Sequence, residues 1–211
     1  MENPRIIRGE ACLAEGIAWL SQAEPRFAEA ARLTGLPPLR LRPDGFAALL
    51  DAIISQQVSV ASANAIRARM AEAGYLDEAR LGAACDDDLR AAGLSRQKAR
   101  YAKALAEARL DYMALRQAPG EEVVKTLVAL PGIGSWTAEI YAMFALGHAD
   151  IFAPGDLALQ ESARRLFQLD ARPTEKAFRA MAESWSPWRS VAARLLWSYY
   201  RVDKGREGIT G

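Results

Sequence analysis

The 211-residue sequence has few of the residues from which metal centres and disulfide-linked folds are built. Its two cysteines, Cys12 and Cys85, are too few and too far apart for a disulfide framework, a four-cysteine zinc site or an iron–sulfur cluster. His148 is the single histidine, so a histidine-rich metal centre is excluded and a Ser-His-Asp triad would depend on that one residue. A reducing cytoplasm is the simplest setting for such a composition.

Long apolar runs and strong net charge are also absent from the sequence. No run of about 18 uninterrupted apolar residues occurs, and the segment from Met1 to Arg5 does not combine a basic region with an apolar one. We therefore expect neither export nor a membrane-spanning segment. Because the formal net charge is only +1, binding of an anionic partner would depend on local charge and on oriented backbone groups.

What the sequence does contain is a succession of Ala-rich amphipathic segments separated by short Gly- and Pro-containing breaks. No alternating strand pattern is longer than about four residues, so the sequence predicts an all-α protein. Three prolines predict an extended connector and a lobe boundary at residues 35–43. Asp44, Ser95 and Ser135 are predicted to cap helices, a long helix is predicted at residues 95–115, and the polar tail at residues 203–211 is expected to fray.

The segment from Leu127 to Leu159 carries the most informative pattern. Pro131 ends one predicted helix, and Gly132 and Gly134 allow a tight turn into the next. The free amide groups and the positive dipole end of that second helix suit a phosphate. A helix hairpin with glycines is also common as a purely structural element, so the turn alone does not establish a binding site.

Three further polar features each have a structural and a functional interpretation. Asp156, at the start of a predicted helix, is either a helix cap or a reactive carboxylate. Gln56 and Gln57 are either a solvated helix end or contact residues. The basic residues near the start of the helix at 95–115 form either a solvated face or a surface that faces phosphate; they are Arg96, Lys98, Arg100 and Lys103.

Several segments together resemble a known family. Leu130 to Ala138 (LPGIGSWTA) and Pro154 to Leu159 (PGDLAL) resemble the helix-hairpin-helix, the Gly/Pro-rich loop and the aspartate of the base-excision DNA glycosylase superfamily. Further segments are similar to its alkylbase branch, the 3-methyladenine DNA glycosylase II type: they are IISQQVSV at residues 53–60, GLS with Lys98-Ala99 at residues 93–99, and SPWRS at residues 186–190. The matches lie in order over residues 46–197, which implies a compact form without a long β-containing N-terminal domain.

The resemblance implies two helical lobes with a DNA-binding cleft between them. Residues 44–150 would form a continuous lobe that includes the hairpin, and residues 1–43 plus 151–211 would form a second lobe from both chain ends. The implied partner is double-stranded DNA with damaged bases, bound by a monomer without membrane association. The expected localisation is cytoplasmic, and nucleoid-associated in a bacterium.

The resemblance also assigns roles to single residues. Asp156 would be the catalytic carboxylate, which stabilises the positive charge that builds on the sugar. Trp136 and Trp197 match aromatic positions of the base pocket, although their apolar helices would equally suit core residues. Ile140 and Ser198 occupy positions where the branch can have tyrosine, which leaves the pocket's selectivity open.

The remaining implied contacts concern DNA and a cation. Backbone amides of Gly132, Gly134 and Trp136 would bind phosphate without reading base sequence. Gln57 would enter the duplex where the base has left the stack. No cofactor is expected to be required, but the family also binds a monovalent cation through hairpin carbonyls, here those of Val128, Leu130 and Ile133.

The expected function is hydrolysis of the N-glycosidic bond of alkylated purines. The branch that cleaves the strand uses a lysine nucleophile where this chain has Trp136, so the resemblance implies a monofunctional enzyme. Two alternatives remain open from the sequence. One is a noncatalytic DNA-binding helix-hairpin-helix module, and the other is a glycosylase for a different base lesion, including a bifunctional enzyme for oxidised bases.

Overall fold

The computed structural model describes residues 4–207 and is helical throughout. This confirms the predicted all-α class, since the described residues form no β-strand and a single isolated bridge joins Ile6 to His148. Within the same residues, no helix is long and apolar enough to cross a membrane. The helices are α1 Glu10–Ala23, α2 Pro25–Thr34, α3 Phe46–Ser55, α4 Val60–Glu72, α5 Glu78–Ala83, α6 Asp86–Ala91, α7 Arg96–Glu107, α8 Tyr112–Gln117, α9 Gly120–Val128, α10 Ser135–Phe144, α11 Leu157–Leu166, α12 Glu175–Ala182 and α13 Arg189–Glu207, with a 3₁₀ turn at Glu183–Trp185.

The helices pack in two groups. In the first, α3 contacts α4, α7 and α10, α7 also contacts α5 and α6, and α10 pairs with α9. In the second, α13 contacts α1, α2 and α11, and the 3₁₀ turn joins α12 to α1 and α13. One buried apolar cluster runs through both groups. The division into lobes at residues 44–150 and at residues 1–43 plus 151–211 therefore stays a prediction.

Aromatic packing fixes the second group. Trp185 is almost fully buried and meets the rings of Phe27 and Phe152 edge to face, with centroids 5.1 Å and 5.4 Å apart. The ring of Phe167, which follows α11, stacks on Trp185 at 5.7 Å. Pairs of this kind add about 0.5–1.5 kcal/mol beyond the area that they bury. The start of α11, which carries Asp156, is thereby attached to a rigid aromatic core.

The long helix predicted at residues 95–115 is two helices. Ser95 caps α7 as predicted, since its hydroxyl accepts a hydrogen bond from the Lys98 amide at 3.2 Å. The helix stops because Arg109 has a positive φ of 43°, which helical residues do not adopt. Asp111 then starts α8 by accepting a hydrogen bond from the Ala114 amide at 2.9 Å.

Three predicted helix ends are also wrong. Asp44 does not cap α3, whose N-cap is Gly45, because its carboxylate binds the Arg116 guanidinium at 2.5 Å and 2.9 Å. Ser135 is the first residue of α10 rather than its cap, and the cap is Gly134. The tail is helical to Glu207, at the end of α13, and the rest of the predicted frayed segment lies outside the described residues.

Candidate functional site

The turn between α9 and α10 contains two glycines with different environments. Gly132 has a φ of 89°, and a Cβ atom there would lie 2.4 Å from the ring of Tyr101 on α7. Gly134 has ordinary extended backbone, and a Cβ atom there would meet nothing within 4 Å. The packing of the chain therefore requires glycine at position 132 but not at position 134. Next to Gly134, the amino end of α10 is open to a ligand.

No side chain caps the amino end of α10. The first amides of a helix have no partner inside the helix and carry the positive end of its dipole. Ser135 and Trp136, which supply two of these amides, are both exposed. This end of the helix can therefore accept a phosphate oxygen on its backbone alone.

An ion pair between a buried carboxylate and an exposed guanidinium holds α10 in place behind this open end. Glu139 is only 2% exposed and lies one turn after Ser135. Its carboxylate accepts a hydrogen bond from the Arg179 guanidinium of α12 at 2.8 Å. Burial raises the pKa of Glu139, while the nearby guanidinium opposes that shift. The pair ties the hairpin helix to the second group of helices.

Asp156 caps α11, so its structural interpretation is correct. Its Oδ1 atom accepts hydrogen bonds from the backbone amides of Ala158 and Leu159 at 2.9 Å and 3.0 Å. The loop before it, with Pro154 and Gly155, is held by a hydrogen bond from the Asp156 amide to the Ala153 carbonyl at 3.1 Å. The backbone of Asp156 is therefore fixed by the preceding loop, and its carboxylate is fixed by the amides that follow it. The residue is half-buried.

The structure brings both predicted pocket tryptophans to this carboxylate. The indole Nε1 of Trp136 donates to Asp156 Oδ2 at 3.0 Å, and the indole Nε1 of Trp197 donates to Asp156 Oδ1 at 3.2 Å. Trp136 is 49% exposed, so it is not a core residue. Trp197 is half-buried, and its ring lies 5.7 Å from that of Phe144. The hairpin helix and the last helix thus meet at one acid.

The two positions where the related branch can have tyrosine lie apart. Ile140, one turn after Trp136 on α10, lines an apolar cavity of about 330 Å³ together with Ile54 and Phe144. Ser198 is buried beside Trp197 on α13 and accepts a hydrogen bond from Arg201. Neither position supplies an aromatic ring to the acid.

Gln57 lies on the loop between α3 and α4, opposite the hairpin. It is exposed and has a positive φ of 55°, a conformation that costs a residue with a Cβ atom about 1 kcal/mol or more. Val58 on the same loop and Val60 at the start of α4 are exposed apolar residues. The loop therefore presents a strained polar tip with apolar neighbours to the solvent.

An open cleft of about 720 Å³ separates this loop from the hairpin. Its walls come from the loop, from α7 and from the hairpin turn, and they include Gln57, Lys98, Tyr101, Gly132 and Gly134. Three of the predicted DNA-contact residues, Gln57, Gly132 and Gly134, thus face one space. Trp136 lies just beyond its hairpin wall, at the start of α10.

Sequence reasoning missed the roles of Lys98 and Gln56. Lys98 Nζ donates to the carbonyl oxygens of Ile54 and Gln56, each at 2.6 Å, and desolvation lowers its pKa. The Gln56 side chain donates from Nε2 to the Gly132 carbonyl at 2.8 Å. The sequence signal for Lys98 was the Lys98-Ala99 pair after a helix start. The signal for Gln56 was its place beside Gln57, two glutamines in a row before Ser59.

The other basic residues of α7 have different surroundings. Lys103 pairs with Asp86 at 2.8 Å. Arg96 and Arg100 are exposed and make no ion pair within the part of the chain that the structure describes. The predicted basic face is therefore not one surface, since it divides into the half-buried Lys98 tether, a surface ion pair and two solvated arginines.

A metal site built from side chains is not found. Within residues 4–207, no group of His, Cys, Asp or Glu could hold a metal ion. His148 is buried, burial lowers its pKa, and its Nε2 atom has no hydrogen-bond partner. Val128, Leu130 and Ile133 do lie together at the hairpin turn, where the Leu130 carbonyl accepts a hydrogen bond from the Ile133 amide at 3.2 Å. A cation on these carbonyls stays a prediction.

The fold and the site define a helix-hairpin-helix protein with an acid at the start of α11, one helix beyond the hairpin turn. The family model for the HhH-GPD superfamily base excision DNA repair protein matches residues 50–188. The chain therefore belongs to this family, as its hairpin and its aspartate loop predicted.

Individual relatives cover most of this chain. It is 32% identical over 209 residues to DNA-3-methyladenine glycosylase 2 of Escherichia coli, which is 92% of this chain and 66% of that protein. The crystal structure of DNA-3-methyladenine glycosidase from Bacillus halodurans matches with a TM-score of 0.81 and 29% identity, over 93% of this chain and 92% of that one. The 3-methyladenine DNA glycosylase of Schizosaccharomyces pombe in complex with abasic DNA matches with a TM-score of 0.68 and 26% identity, over 87% of this chain and 95% of that one. Matches to curated bacterial relatives span 60% and 66% of the length of those proteins.

Proposed function

We propose that this chain is a monofunctional DNA glycosylase, which hydrolyses the N-glycosidic bond of alkylated purines of the 3-methyladenine type during base excision repair. The observation that carries the proposal is the convergence of two indole N–H groups, from Trp136 and Trp197, on the carboxylate of Asp156. A helix cap needs no such partners. The activities in the names of the relatives agree with this chemistry.

The hydrogen bonds of Asp156 leave one oxygen for the reaction. Oδ1 accepts three N–H groups, whereas among residues 4–207 Oδ2 accepts only the indole N–H of Trp136. A carboxylate has about four lone-pair sites, so Oδ2 retains an acceptor position on its exposed side. Breaking the N-glycosidic bond builds positive charge on the sugar, and a fixed carboxylate oxygen beside the anomeric carbon stabilises that charge. The same oxygen can orient the attacking water.

The two tryptophans suit an alkylated base. Such a purine carries a positive charge, and the face of an indole ring attracts cations. It also leaves as a neutral base, so no strong general acid is required, and the one histidine is buried away from the acid at a β-bridge with Ile6. Because both indoles already contact the carboxylate, the arriving base stacks on the exposed face of Trp136 or displaces that ring from Oδ2.

DNA binding follows from the open cleft. The amides at the amino end of α10 bind phosphates without reading sequence, and Gln57 enters the space that the rotated base has left. In this proposal the protein acts as a monomer on double-stranded DNA with damaged bases, in the cytoplasm or on a bacterial nucleoid. A monovalent cation on the carbonyls of Val128, Leu130 and Ile133 would stiffen the hairpin turn and would take no part in bond cleavage.

The test compares base release from methylated duplex DNA by the wild-type protein and by Asp156→Asn. Asparagine caps a helix as well as aspartate does but lacks the charge, so release should fall by about 10²-fold or more while the fold persists. Asp111→Asn is the matched control, because Asp111 is also an N-cap carboxylate, with a 2.9 Å bond to the Ala114 amide, but it starts α8. Equal release by the wild-type protein and Asp156→Asn would refute the catalytic role.

The alternatives predict other outcomes of the same assay. A noncatalytic binding module would hold the methylated duplex and release no base. A bifunctional enzyme would form a covalent adduct that borohydride traps, because its amine forms a Schiff base with the sugar. We expect no such adduct, since Trp136 occupies the position where the strand-cleaving branch has its lysine nucleophile. The amine of Lys98 is hydrogen-bonded to two carbonyl oxygens.

A further inference from the structure

A lysine from α7 caps the end of α3 across the cleft. The last carbonyl groups of a helix have no partner inside the helix, and a cationic side chain stabilises them. At α3 this cation is Lys98, whose Nζ atom contacts the carbonyl oxygens of Ile54 and Gln56 at 2.6 Å each. The two residues are 44 and 42 positions away in the sequence, so the contact is tertiary. The Lys98 side chain therefore fixes the point at which the α3–α4 loop begins.

A second tether joins the same loop to the hairpin. The side chain of Gln56 donates to the Gly132 carbonyl at 2.8 Å. Gly132 in turn packs on α7, because the place of its missing Cβ atom is filled by the Tyr101 ring. The loop, the hairpin turn and α7 are thus joined in a closed circuit of contacts, which we call the brace: Lys98, Gln56, Gly132 and Tyr101. All four residues line the 720 Å³ cleft.

The brace ends at the strained residue. Gln57 directly follows Gln56 and has a φ of 55°, which an L-residue keeps only when its surroundings hold it there. Gln56 is held through both its carbonyl oxygen and its side-chain amide. Lys98 is partly desolvated, which lowers its pKa and is consistent with an anchored rather than a solvated head group.

We propose that Lys98 and Gln56 are positioning residues for base rotation, which hold Gln57 at a fixed place relative to the hairpin. When the hairpin amides bind the DNA backbone, the brace forces Gln57 into the stack instead of letting the loop give way. The inference rests on the proposed function, since it assigns the brace to the step that precedes excision.

The experiment measures base rotation without requiring excision. A duplex carries 2-aminopurine, whose fluorescence rises when the base leaves the stack, and saturating protein is added. We expect a rise with the wild-type protein and a rise at least about fivefold smaller with Lys98→Met, which removes two charge-assisted hydrogen bonds while keeping the side-chain length. Gln56→Met, which removes one neutral bond, should give an intermediate signal, and Lys98→Arg should restore part of the rise.

Controls separate positioning from stability. Lys103→Met is the matched control, since Lys103 lies on the same helix but pairs with Asp86 on the surface, and it should behave as the wild-type protein does. With 2-aminopurine in a single-nucleotide bulge, where the base is already out of the stack, all variants should give the same signal. Thermal unfolding is recorded for each variant, and Gln56→Met decides the matter if Lys98→Met does not fold.

Any one of three results would overturn the inference. These are a wild-type protein that produces no fluorescence rise, a Lys98→Met protein with an undiminished rise, and an equal loss of signal on the paired and bulged duplexes. Failure of the proposed function has a different signature, since a protein that rotates the base through the brace and releases no methylated purine would lack only the excision step.

Discussion

The two halves of the candidate site are held in different ways. In the hairpin cleft, Gly132 is locked by packing on Tyr101 and by the hydrogen bond from Gln56, and the uncapped backbone amides of α10 lie next to it. At the acid, Asp156 Oδ2 accepts a hydrogen bond from the Trp136 side chain, and Oδ1 accepts one from the Trp197 side chain. The cleft is therefore held by packing and backbone contacts, whereas the acid is held in part by two indole side chains, one of them half-exposed.

This difference indicates a division of labour. A preformed backbone site binds every DNA sequence alike, because phosphates carry no base information. An acid flanked by two indoles favours a base that stacks on those rings. Under the proposed function, general DNA binding resides in the hairpin cleft and selection of the lesion resides at Asp156.

The largest expected effect distinguishes the two glycines of the hairpin. Gly132→Val should lower the free energy of unfolding by about 2–6 kcal/mol, because it adds overpacking against Tyr101 to a strained positive φ. Gly134→Val should change it by less than about 0.5 kcal/mol, because a Cβ atom at this position meets no atom within 4 Å and the backbone is already extended. Chemical denaturation of both variants checks this, and equal destabilisation would contradict the different roles of the two positions.

The next effect concerns the covered acid. Trp136→Ala removes a half-exposed ring on which the base can stack, so excision at subsaturating protein should fall by about 5- to 150-fold, the equivalent of about 1–3 kcal/mol. The melting temperature should hardly change. The measurement is single-turnover base release, and Met113→Ala, another exposed apolar residue on a helix away from the acid, is the control. Unaltered release by Trp136→Ala would remove this ring from the pocket.

The smallest effect concerns the loop tip. Gln57→Ala loses neutral hydrogen bonds to the unpaired partner base, each worth about 0.5–1.5 kcal/mol, so excision from a paired site should fall by about 2- to 12-fold. The loss should shrink when the lesion lies in a bulge. Gln57→Leu, which keeps an insertable side chain, should retain more activity than the alanine variant. A wild-type rate for Gln57→Ala on paired DNA would show that the tip does not enter the duplex.

The sequence was informative where local chemistry decides the structure. Helical periodicity and the turn with Pro131, Gly132 and Gly134 are local signals, and both the all-α class and the hairpin followed from them. The prediction that Ser95 is a cap is confirmed, because its partner is three residues away. Asp156 was correctly placed at a helix start for the same reason.

The sequence failed where a distant partner decides. Asp44 binds Arg116, which is 72 residues away, instead of capping α3. Lys98 donates to carbonyl groups 42 and 44 residues away. The contacts of Asp156 with Trp136 and Trp197 span 20 and 41 residues, and only the family resemblance placed those rings near the acid. Patterns along the chain carry no information about such pairs, because a polar or charged side chain fits a solvent-exposed position as well as a contact with a distant partner.

The separation of binding from chemistry is tested most directly by measuring two quantities for two variants on one methylated duplex. Asp156→Asn should bind within about threefold of the wild-type affinity and lose about 10²-fold or more in the single-turnover rate. Gly134→Val should bind about tenfold more weakly on every sequence, the cost of one charge-assisted hydrogen bond to phosphate, yet approach the wild-type rate at saturation. A proportional loss of affinity and rate in both variants would contradict the division between the hairpin cleft and the acid.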